Sequence, residues 1–389
     1  MKTTNHILTL ASLVTLVAAS AAHAAEPAAE HRFITIADGS TMEVPIAGAL
    51  NNLGQVAYIT YRLEDFSPTA IRIGNGRTTT DILIPPGNAS VEIGGLNDWG
   101  LLGLGILEFD PSTYDLIRSQ AIVARRHQFT VLAETQPYID RMMVGAPAVD
   151  NRGTAAFQLD RSELYQNSIL TGRGAPFTIA AEAGPTQWVY GRAINNRNTV
   201  AYWKQGEDSA DGLSGLYLWR NGMADRVFDA GSQPGEAAGP GIFHSFALND
   251  LDSVAVETFV RRCPPVGIPG FCTLANSRIL RLNQGVITTI ATSTETFFPS
   301  GPVQLNNRGE VMFQGSDDQG NSAVYVGDGV RTRRVLGSGD MLLDRTVVFV
   351  TGHGLNIRGQ VALTVQFSDD SSAVILATPY VGKCREGNR

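Results

Sequence analysis

Leu50-Asn51-Asn52-Leu53-Gly54-Gln55-Val56 is the first of seven copies of one short phrase, Leu-Asn-x-x-Gly-x-Val, along a chain of 389 residues. The copies share an amide or carboxylate side chain at their second position, namely Asn51, Asn97, Asp150, Asn195, Asn249, Asn306 and Asn356. Consecutive copies lie between 45 and 57 residues apart. A near-constant period of this length indicates a repeat fold, in which each unit buries its apolar face only against its neighbours.

Each copy has the residues of a tight turn followed by a short strand. An Asn side chain can bond the backbone two residues on, and Gly accepts the positive φ that closes such a turn. Two copies replace the Gly by Asn198 and Asp252, residue types that tolerate the left-handed region. The strand after the turn has a small second residue in six of seven copies, such as Ala57 and Gly103, with Met312 as the exception. We therefore expect this strand to be the innermost one, crowded around a common axis.

Further strands in each unit are indicated by apolar runs that alternate with Gly and Asn turns. In one unit, residues 215–219 form a strand pattern, Arg220-Asn221-Gly222 a hairpin turn, and residues 226–229 the returning strand. Four strands in about 50 residues match one blade of a β-propeller. The sequence predicts an all-β, seven-bladed β-propeller with four-stranded antiparallel blades. A stacked solenoid is the alternative, and it would need a polar capping unit at each end.

The two ends of the chain each carry part of a unit. After Leu355 only two clear strands follow, at 361–367 and 373–377. Residues 33–39 resemble residues 129–134, and both segments run on towards a repeat turn. We therefore expect the ring to be closed by N-terminal strands that supply the missing pair of the C-terminal blade. Such closure removes the exposed edges that make open sheets aggregate.

The repeated phrase resembles that of exported bacterial tandem-repeat proteins of the NxxGxxxAF type, and more distantly that of HAF-repeat extracellular proteins. Its clearest copies are Asn51-Asn52-Leu53-Gly54-Gln55-Val56-Ala57-Tyr58 and Asn306-Asn307-Arg308-Gly309-Glu310-Val311-Met312-Phe313. The resemblance implies export and a propeller-like fold of β repeats. It implies no catalytic residue, because these families have no generally assigned chemistry.

The first 24 residues have the pattern of a secretory signal peptide. A positive charge precedes an apolar run at 7–19, and Ala22-His23-Ala24 forms a small-x-small cleavage site. We divide the chain into a signal peptide at 1–24, a single propeller domain at 25–380 and a polar tail at 381–389. No later apolar stretch is long enough to span a bilayer. The sequence therefore predicts a secreted or periplasmic protein without membrane insertion.

The charge balance limits the kinds of partner. The formal net charge is −7 at pH 7, and no long basic stretch is present. A mildly acidic chain of this kind is not expected to bind nucleic acid or an anionic membrane surface. A glycan or an envelope protein is the expected partner, and we expect the ring to be a monomer.

Three cysteines are present in the chain. Cys263 and Cys272 bracket a Pro- and Gly-rich insert, so in an exported protein they are predicted to form a disulfide. Metal binding by this pair is the weaker interpretation, because no His or second Cys pair lies nearby at ligand spacing. Cys384 lies in the polar tail and is either free or paired between chains.

Arg192, His244 and His353 are the candidate binding residues. Arg192 and His353 precede a repeat Asn by three residues and His244 by five, which brings them to one face of the ring if the units superpose. Chance placement among seven blades is the alternative. No pair of histidines has metal-ligand spacing, so neither a metal nor a cofactor is expected.

Acidic residues follow the strand after the turn in every unit. They are Glu64, Asp65, Glu108, Asp110, Asp160, Glu207, Asp208, Glu257, Asp317, Asp318, Asp369 and Asp370. Around one axis they would collect at a rim and attract a cation or a basic ligand. Solvated turns are the alternative, which we favour because the offset from the repeat Asn varies. Residues 316–321 and 208–212 are the best calcium candidates, but neither matches the EF-hand loop and ordinary turns are expected.

No linear motif assigns a reaction to the chain. The sequence has no Gly-x-Ser-x-Gly elbow, no His-Glu-x-x-His and no phosphate-binding Gly-x-x-x-x-Gly-Lys. The leading hypothesis is a binding module for a glycan or a protein, without catalysis. An exported hydrolase or lyase that acts on a polysaccharide is the alternative, with catalytic residues contributed singly by several blades. A purely structural envelope component is a third possibility.

Overall fold

The computed structural model shows a ring of seven antiparallel β-sheets and confirms the seven-bladed β-propeller that the sequence predicted. It describes residues 31–39, 42–136, 142–161, 166–184, 187–206, 215–229, 245–262 and 273–380. The predicted signal peptide and polar tail lie outside these residues. The described residues contain no helix, and therefore none that is long and apolar enough to cross a membrane.

Each blade has four strands, counted here from the axis outwards in the order of blades 1 to 7. The innermost strands are β2 (Glu43–Leu50), β6 (Ala89–Leu96), β10 with β11 (Met142–Val144, Ala148–Val149), β15 (Gln187–Ile194), β19 (Phe246–Leu248), β23 (Phe297–Leu305) and β28 (Arg345–Leu355). The second strands are β3 (Val56–Arg62), β7 (Leu102–Phe109), β12 (Ala155–Arg161), β16 (Val200–Gly206), β20 (Val254–Arg262), β24 (Val311–Asp317) and β29 (Val361–Phe367). The third strands are β4 (Pro68–Gly74), β8 (Leu116–Arg125), β13 (Gln166–Gly172), β17 (Gly215–Arg220), β21 (Thr273–Asn283), β25 (Ser322–Gly327) and β30 (Ser372–Pro379). The outermost strands are β5 (Thr79–Leu83), β9 (Gln128–Thr135), β14 (Thr178–Glu182), β18 (Met223–Asp229), β22 (Val286–Thr292), β26 (Thr332–Gly337) and β1 (His31–Asp38). A two-residue strand, β27 (Met341–Leu342), also pairs with the start of β28.

The N-terminal chain closes the ring, as predicted, but with one strand rather than two. Strand β1 pairs antiparallel with β30, with Phe33 opposite Ala377. The next strand, β2, belongs to blade 1 instead, where Leu50 lies opposite Val56. Blade 7 is therefore built from three C-terminal strands and one N-terminal strand.

The prediction of the innermost strand was wrong. The strand that lines the axis is the one that leads into the repeat turn, and the strand with the small second residue is second from the axis. Its small residues make room for the next blade: a Cβ on Gly103 would lie 1.9 Å from the carbonyl oxygen of Pro147. Where blade 6 has Met312 instead, blade 7 has Gly352, whose added Cβ would lie 2.6 Å from the Met312 sulfur. The crowding that the sequence showed is therefore between blades and not at the axis.

The apolar core lies between neighbouring blades. Ile59 and Ile71 of blade 1 pack with Leu102 and Leu104 of blade 2 in one buried cluster. The faces of each sheet are thus covered by the adjacent sheets, and the burial of apolar area stabilises the ring as a whole.

The repeat turns have the geometry that the sequence predicted. In blade 1, Asn51 Oδ1 accepts hydrogen bonds from the backbone N–H groups of Leu53 and Gln55, at 3.1 and 2.9 Å. Gly54 has a φ of 81°, and the substituted positions Asn198 and Asp252 have φ values of 62° and 61°. We call the face of the ring that carries these turns the turn face, and the opposite face, where the innermost strands begin, the loop face.

The repeat Asn side chain also joins each blade to the next. Asn51 Nδ2 donates to the backbone oxygen of Asn97 at 3.0 Å, and Asn97 Nδ2 donates to that of Asp150 at 2.8 Å. The same bond is made by Asn195, Asn249 and Asn306. Asn356 donates to the oxygen of Asn51 at 3.1 Å and so joins the last blade to the first. We call this circle of bonds the first belt.

Asp150 interrupts the first belt. Its Oδ1 accepts from the backbone N–H groups of Arg152 and Thr154, as a repeat Asn would. Its Oδ2 is buried and has no hydrogen-bond partner among the described residues. A carboxylate has no N–H to donate, so the bond to the backbone oxygen of Asn195 is missing at this one junction.

We therefore predict that Asp150→Asn stabilises the protein. The amide would donate to Asn195 and would remove an unpaired buried oxygen, a gain of about 1 kcal/mol in the free energy of unfolding. Denaturant unfolding measures the change. The matched control is Asn249→Asp, which breaks an intact junction and should cost about 1–3 kcal/mol. Loss of stability in Asp150→Asn would show that this account of the belt is wrong.

Candidate functional site at the axial cavity

A cavity of about 300 Å³ opens on the axis at the turn face, and all seven blades line it. Its walls are formed by the last residues of the innermost strands and by the first residues of the repeat turns. We call it the axial cavity. Because the blades contribute nearly equivalent positions, differences between the copies decide its chemistry.

The rim of the axial cavity is a second belt of hydrogen bonds between blades. It is formed by the residue after each repeat Asn, namely Asn52, Asp98, Asn151, Asn196, Asp250, Asn307 and Ile357. The backbone N–H of each donates to the side-chain oxygen of the next, as from Asn52 to Asp98 at 2.8 Å and from Asp250 to Asn307 at 2.8 Å. Ile357 has no side-chain oxygen, so the belt is interrupted there, and the side chain is 41% exposed at the rim. The rim is a fixed ring of amide and carboxylate groups with one apolar position.

The floor of the axial cavity is formed in five blades by the residue three before the repeat Asn. These residues are Gly48, Gly94, Arg192, Phe246 and His353. In five blades the pairing of the innermost strand shifts register around this position. A β-bulge re-aims the side chain that it carries. The structure thus brings Arg192 and His353 to one cavity, whereas His244 lies outside the described residues.

Arg192 spans three blades beside the axis. Its Nη2 lies 2.7 Å from Glu92 Oε1 of blade 2, and its Nε donates to the backbone oxygen of Ala146 in blade 3. The Arg192 side chain is only 17% exposed, whereas that of Glu92 is 61% exposed. Burial raises the pKa of nearby Asp160, an effect that a hydrogen bond from Gln158 and the charge of Arg192 partly offset. An arginine with one exposed carboxylate partner can still turn its remaining N–H groups towards an anionic or hydroxylated ligand.

His353 is held between blades 7 and 1. Its Nε2 lies 2.9 Å from Thr364 Oγ1, which accepts a hydrogen bond from the backbone N–H of Ala47 at 2.9 Å. Burial lowers the pKa of His353 to about 4. The ring is therefore neutral at pH 7, and His353 can act there as a hydrogen-bonding group but not as a cation.

Glu257 is a buried carboxyl between blades 5 and 6. It is 6% exposed, and one of its oxygens accepts a hydrogen bond from the backbone N–H of Gly301 at 3.0 Å. Burial raises its pKa to about 7. Sequence reasoning grouped Glu257 with the solvated acids, because only the packing of the next blade buries it.

Most of the other described acidic residues lie in turns on the loop face. Asp65, Asp110, Asp317 and Asp369 each accept hydrogen bonds from residues of their own turns, which lower the pKa of each. They lie at or just after the end of the second strand, away from the axis. Residues 316–321 form a turn in which Asp317 accepts hydrogen bonds from the backbone N–H groups of Gln319 and Asn321.

Several predicted features lie outside the described residues, so the structure does not test them. They are the disulfide between Cys263 and Cys272, the tail residue Cys384, the acids Glu207 and Asp208, and the calcium candidate at 208–212. Among the residues that the structure does describe, no group of three or more His, Cys, Asp or Glu side chains is placed to hold a metal ion.

Comparison with known proteins supports the fold alone. No protein-family model and no curated protein sequence matches the chain. An oligogalacturonate lyase solved in complex with manganese is 12% identical, with a TM-score of 0.57 over 91% of this chain and 99% of the other. The polysaccharide lyase Uly1 is 9% identical, with a TM-score of 0.55 over 89% of this chain and 100% of the other. A prolyl endopeptidase is 11% identical, with a TM-score of 0.55 over 88% of this chain and 51% of the other.

The shifted pKa values of Glu257 and His353 predict opposite effects of pH on the stability of the fold. The raised pKa of Glu257 stabilises the fold at pH below about 4.5, and this contribution is lost as the pH rises to about 7. The lowered pKa of His353 stabilises the fold above about pH 6.5, and this contribution is lost as the pH falls to about 4. Between pH 4 and 8, we expect the free energy of unfolding of Glu257→Gln to rise by about 3 kcal/mol relative to that of the wild type. His353→Gln should instead become more stable relative to the wild type as the pH falls.

Denaturant unfolding at several pH values measures both differences. Each variant serves as the control for the other, because the remaining carboxyl groups titrate equally in both. Parallel pH profiles for the two variants would contradict the assignment of these groups.

Proposed function

We propose that the protein is an exported binding module that holds part of a glycan in the axial cavity. The observation that carries the proposal is a cavity whose rim is a belt of amide and carboxylate groups and whose floor contains Arg192 and His353. Sugar hydroxyl groups exchange hydrogen bonds with such side chains in both directions. An oligogalacturonate lyase and a polysaccharide lyase are similar in fold over nearly their whole length, whereas the prolyl endopeptidase is matched over only 51% of its length. This difference also favours a glycan over a protein.

The shape of the site agrees with a glycan ligand. Small-molecule sites have volumes of roughly 300–1,000 Å³, so a cavity of about 300 Å³ suits a short terminal segment rather than a long stretch of chain. Ile357 and Phe246 provide apolar surface beside the polar rim, and the C–H face of a sugar ring packs against such surface. The rigid belt also lowers the entropic cost of binding, because its side chains are already ordered.

A hydrolase or lyase is the second candidate function. It is favoured by the group of Arg192, Glu92 and Asp160, since a carboxyl with a raised pKa beside an arginine is a typical feature of catalytic sites. Tyr190 lies close enough to Asp160 for the carboxylate charge to raise the pKa of the phenol, although burial is the larger cause. Release of new chain ends from a polysaccharide, abolished by Arg192→Ala or His244→Ala, would establish this function in place of simple binding.

We predict that Ile357→Trp blocks the axial cavity. The Ile357 side chain takes no part in the second belt, so a larger residue should narrow the mouth without unfolding the ring. A panel of neutral and acidic polysaccharides identifies the glycan, and calorimetry measures the affinity. We expect the variant to bind at least about tenfold more weakly, equivalent to about 1.4 kcal/mol of lost binding energy.

Val330→Trp is the matched control, because Val330 is 89% exposed in a hairpin of the same face and does not line the axial cavity. It should bind as the wild type does. The proposal fails if no glycan of the panel binds saturably, or if both tryptophan variants bind normally.

A further inference from the structure

A groove of about 270 Å³ between blades 1 and 2 continues from the axial cavity across the turn face. Leu53 of blade 1 lines one side, and Trp99, Arg125 and Arg126 of blade 2 line the other. We call it the Trp99 groove. Asp98 lines both the groove and the axial cavity. A chain-like ligand with its end in the axial cavity would therefore leave it along this groove.

Trp99 is an exposed aromatic platform beside two arginines. It is 66% exposed, and its turn is held by the bond from its own backbone N–H to Asn97 Oδ1 at 3.0 Å. Arg125 is the last residue of β8 and Arg126 the first of the turn to β9, and neither has an ion pair among the described residues. Arg126 has a φ of 54°, which is uncommon for a large side chain. The equivalent positions in blades 4 and 5 are the polar residues Asn221 and Gln284.

The equivalent groove between blades 4 and 5 has different chemistry. Leu251 takes the place of Trp99, and the groove also contains Arg197 and Arg220. Both arginines face the Asp252 carboxylate, at 3.8 and 3.3 Å. Both arginines are therefore ion-paired within the protein, whereas Arg125 and Arg126 are not paired among the described residues, which makes this groove an internal control for the Trp99 groove.

The one acidic residue of the Trp99 groove is already bound by the rim. Asp98 Oδ1 accepts from the backbone N–H of Asn52, and Oδ2 accepts from Nδ2 of Asn52 and of Asn151, at 2.8 to 3.1 Å. Two arginines against one such carboxylate leave the groove with an excess of positive charge. Guanidinium groups match carboxylates in geometry and charge, and aromatic rings present a flat apolar face.

We propose that the Trp99 groove is a subsite for a uronic-acid residue of the glycan. Trp99 stacks on the sugar ring, and Arg125 and Arg126 bind its carboxylate. The inference rests on the proposed function and narrows it to acidic glycans. It also explains how an acidic protein can bind a polyanion, because the positive charge is concentrated at one groove of the turn face.

The test compares an oligomer of a uronic acid with the methyl ester of the same oligomer, because the two differ in charge and scarcely in shape. Calorimetry measures binding of both to the wild type and to two variants, Trp99→Ala and Arg125→Ala with Arg126→Ala. Loss of charge-assisted hydrogen bonds should weaken binding of the acid by about tenfold or more in the double variant. Binding of the ester should change only in Trp99→Ala. The wild type should prefer the acid to the ester.

Two controls separate a specific site from general electrostatics. Leu251→Ala removes the equivalent side chain of blade 5, and Arg173→Ala with Arg331→Ala removes the same charge from other exposed turns of this face. Both should bind the acid as the wild type does. An equal loss in the control double variant, or no loss in the groove variants while Ile357→Trp still blocks binding, overturns the subsite and leaves the proposed function standing. Failure of both oligomers and of every other glycan to bind the wild type overturns the proposed function itself.

Discussion

The side chain of the repeat Asn is the constraint on which the ring depends. Its oxygen closes the turn within one blade, and its N–H group donates to the backbone of the next blade. The amide is buried, so both ends must be satisfied, and a buried donor without a partner would cost about 1–3 kcal/mol. Six of the seven junctions between blades have this hydrogen bond, and the bond from Asn356 to Asn51 joins the last blade to the first. A single residue type therefore specifies both the blade and its attachment.

The belt also decides where the blades can differ. The repeat Asn and the turn geometry are fixed by folding, so variation is left to the residues on either side of it. The residue three before the Asn forms the floor of the axial cavity in five blades, and the next two after the Asn form the rim and the surrounding surface. Arg192, Ile357 and Trp99 are departures at these three positions. The candidate site is thus built from the residues that the repeat leaves free.

Sequence reasoning found the turns, the blade number and the closure of the ring, because each rests on local chemistry or on a count. It misjudged which strand is innermost, because small residues indicate close packing without naming the partner. Gly103 is small to admit Pro147 of the next blade, which lies far along the chain. From their common offset to the repeat Asn, it predicted that Arg192 and His353 lie on one face of the ring, and both line the axial cavity. It did not find the Trp99 groove, because Arg125 and Arg126 come from a different turn.

A seven-bladed closed ring could be determined from the sequence alone. The blade number follows from the count of repeats, and the closure follows from the half units at the two ends. The turns follow from residue chemistry that acts over only a few residues. The tertiary structure decided which groups are buried and which meet across blades. The neutral state of His353, the raised pKa of Glu257 and the second bond of each repeat Asn all arise there. The physical reason is that desolvation and inter-blade hydrogen bonds depend on neighbours about 50 residues away, whose placement only the closed ring determines.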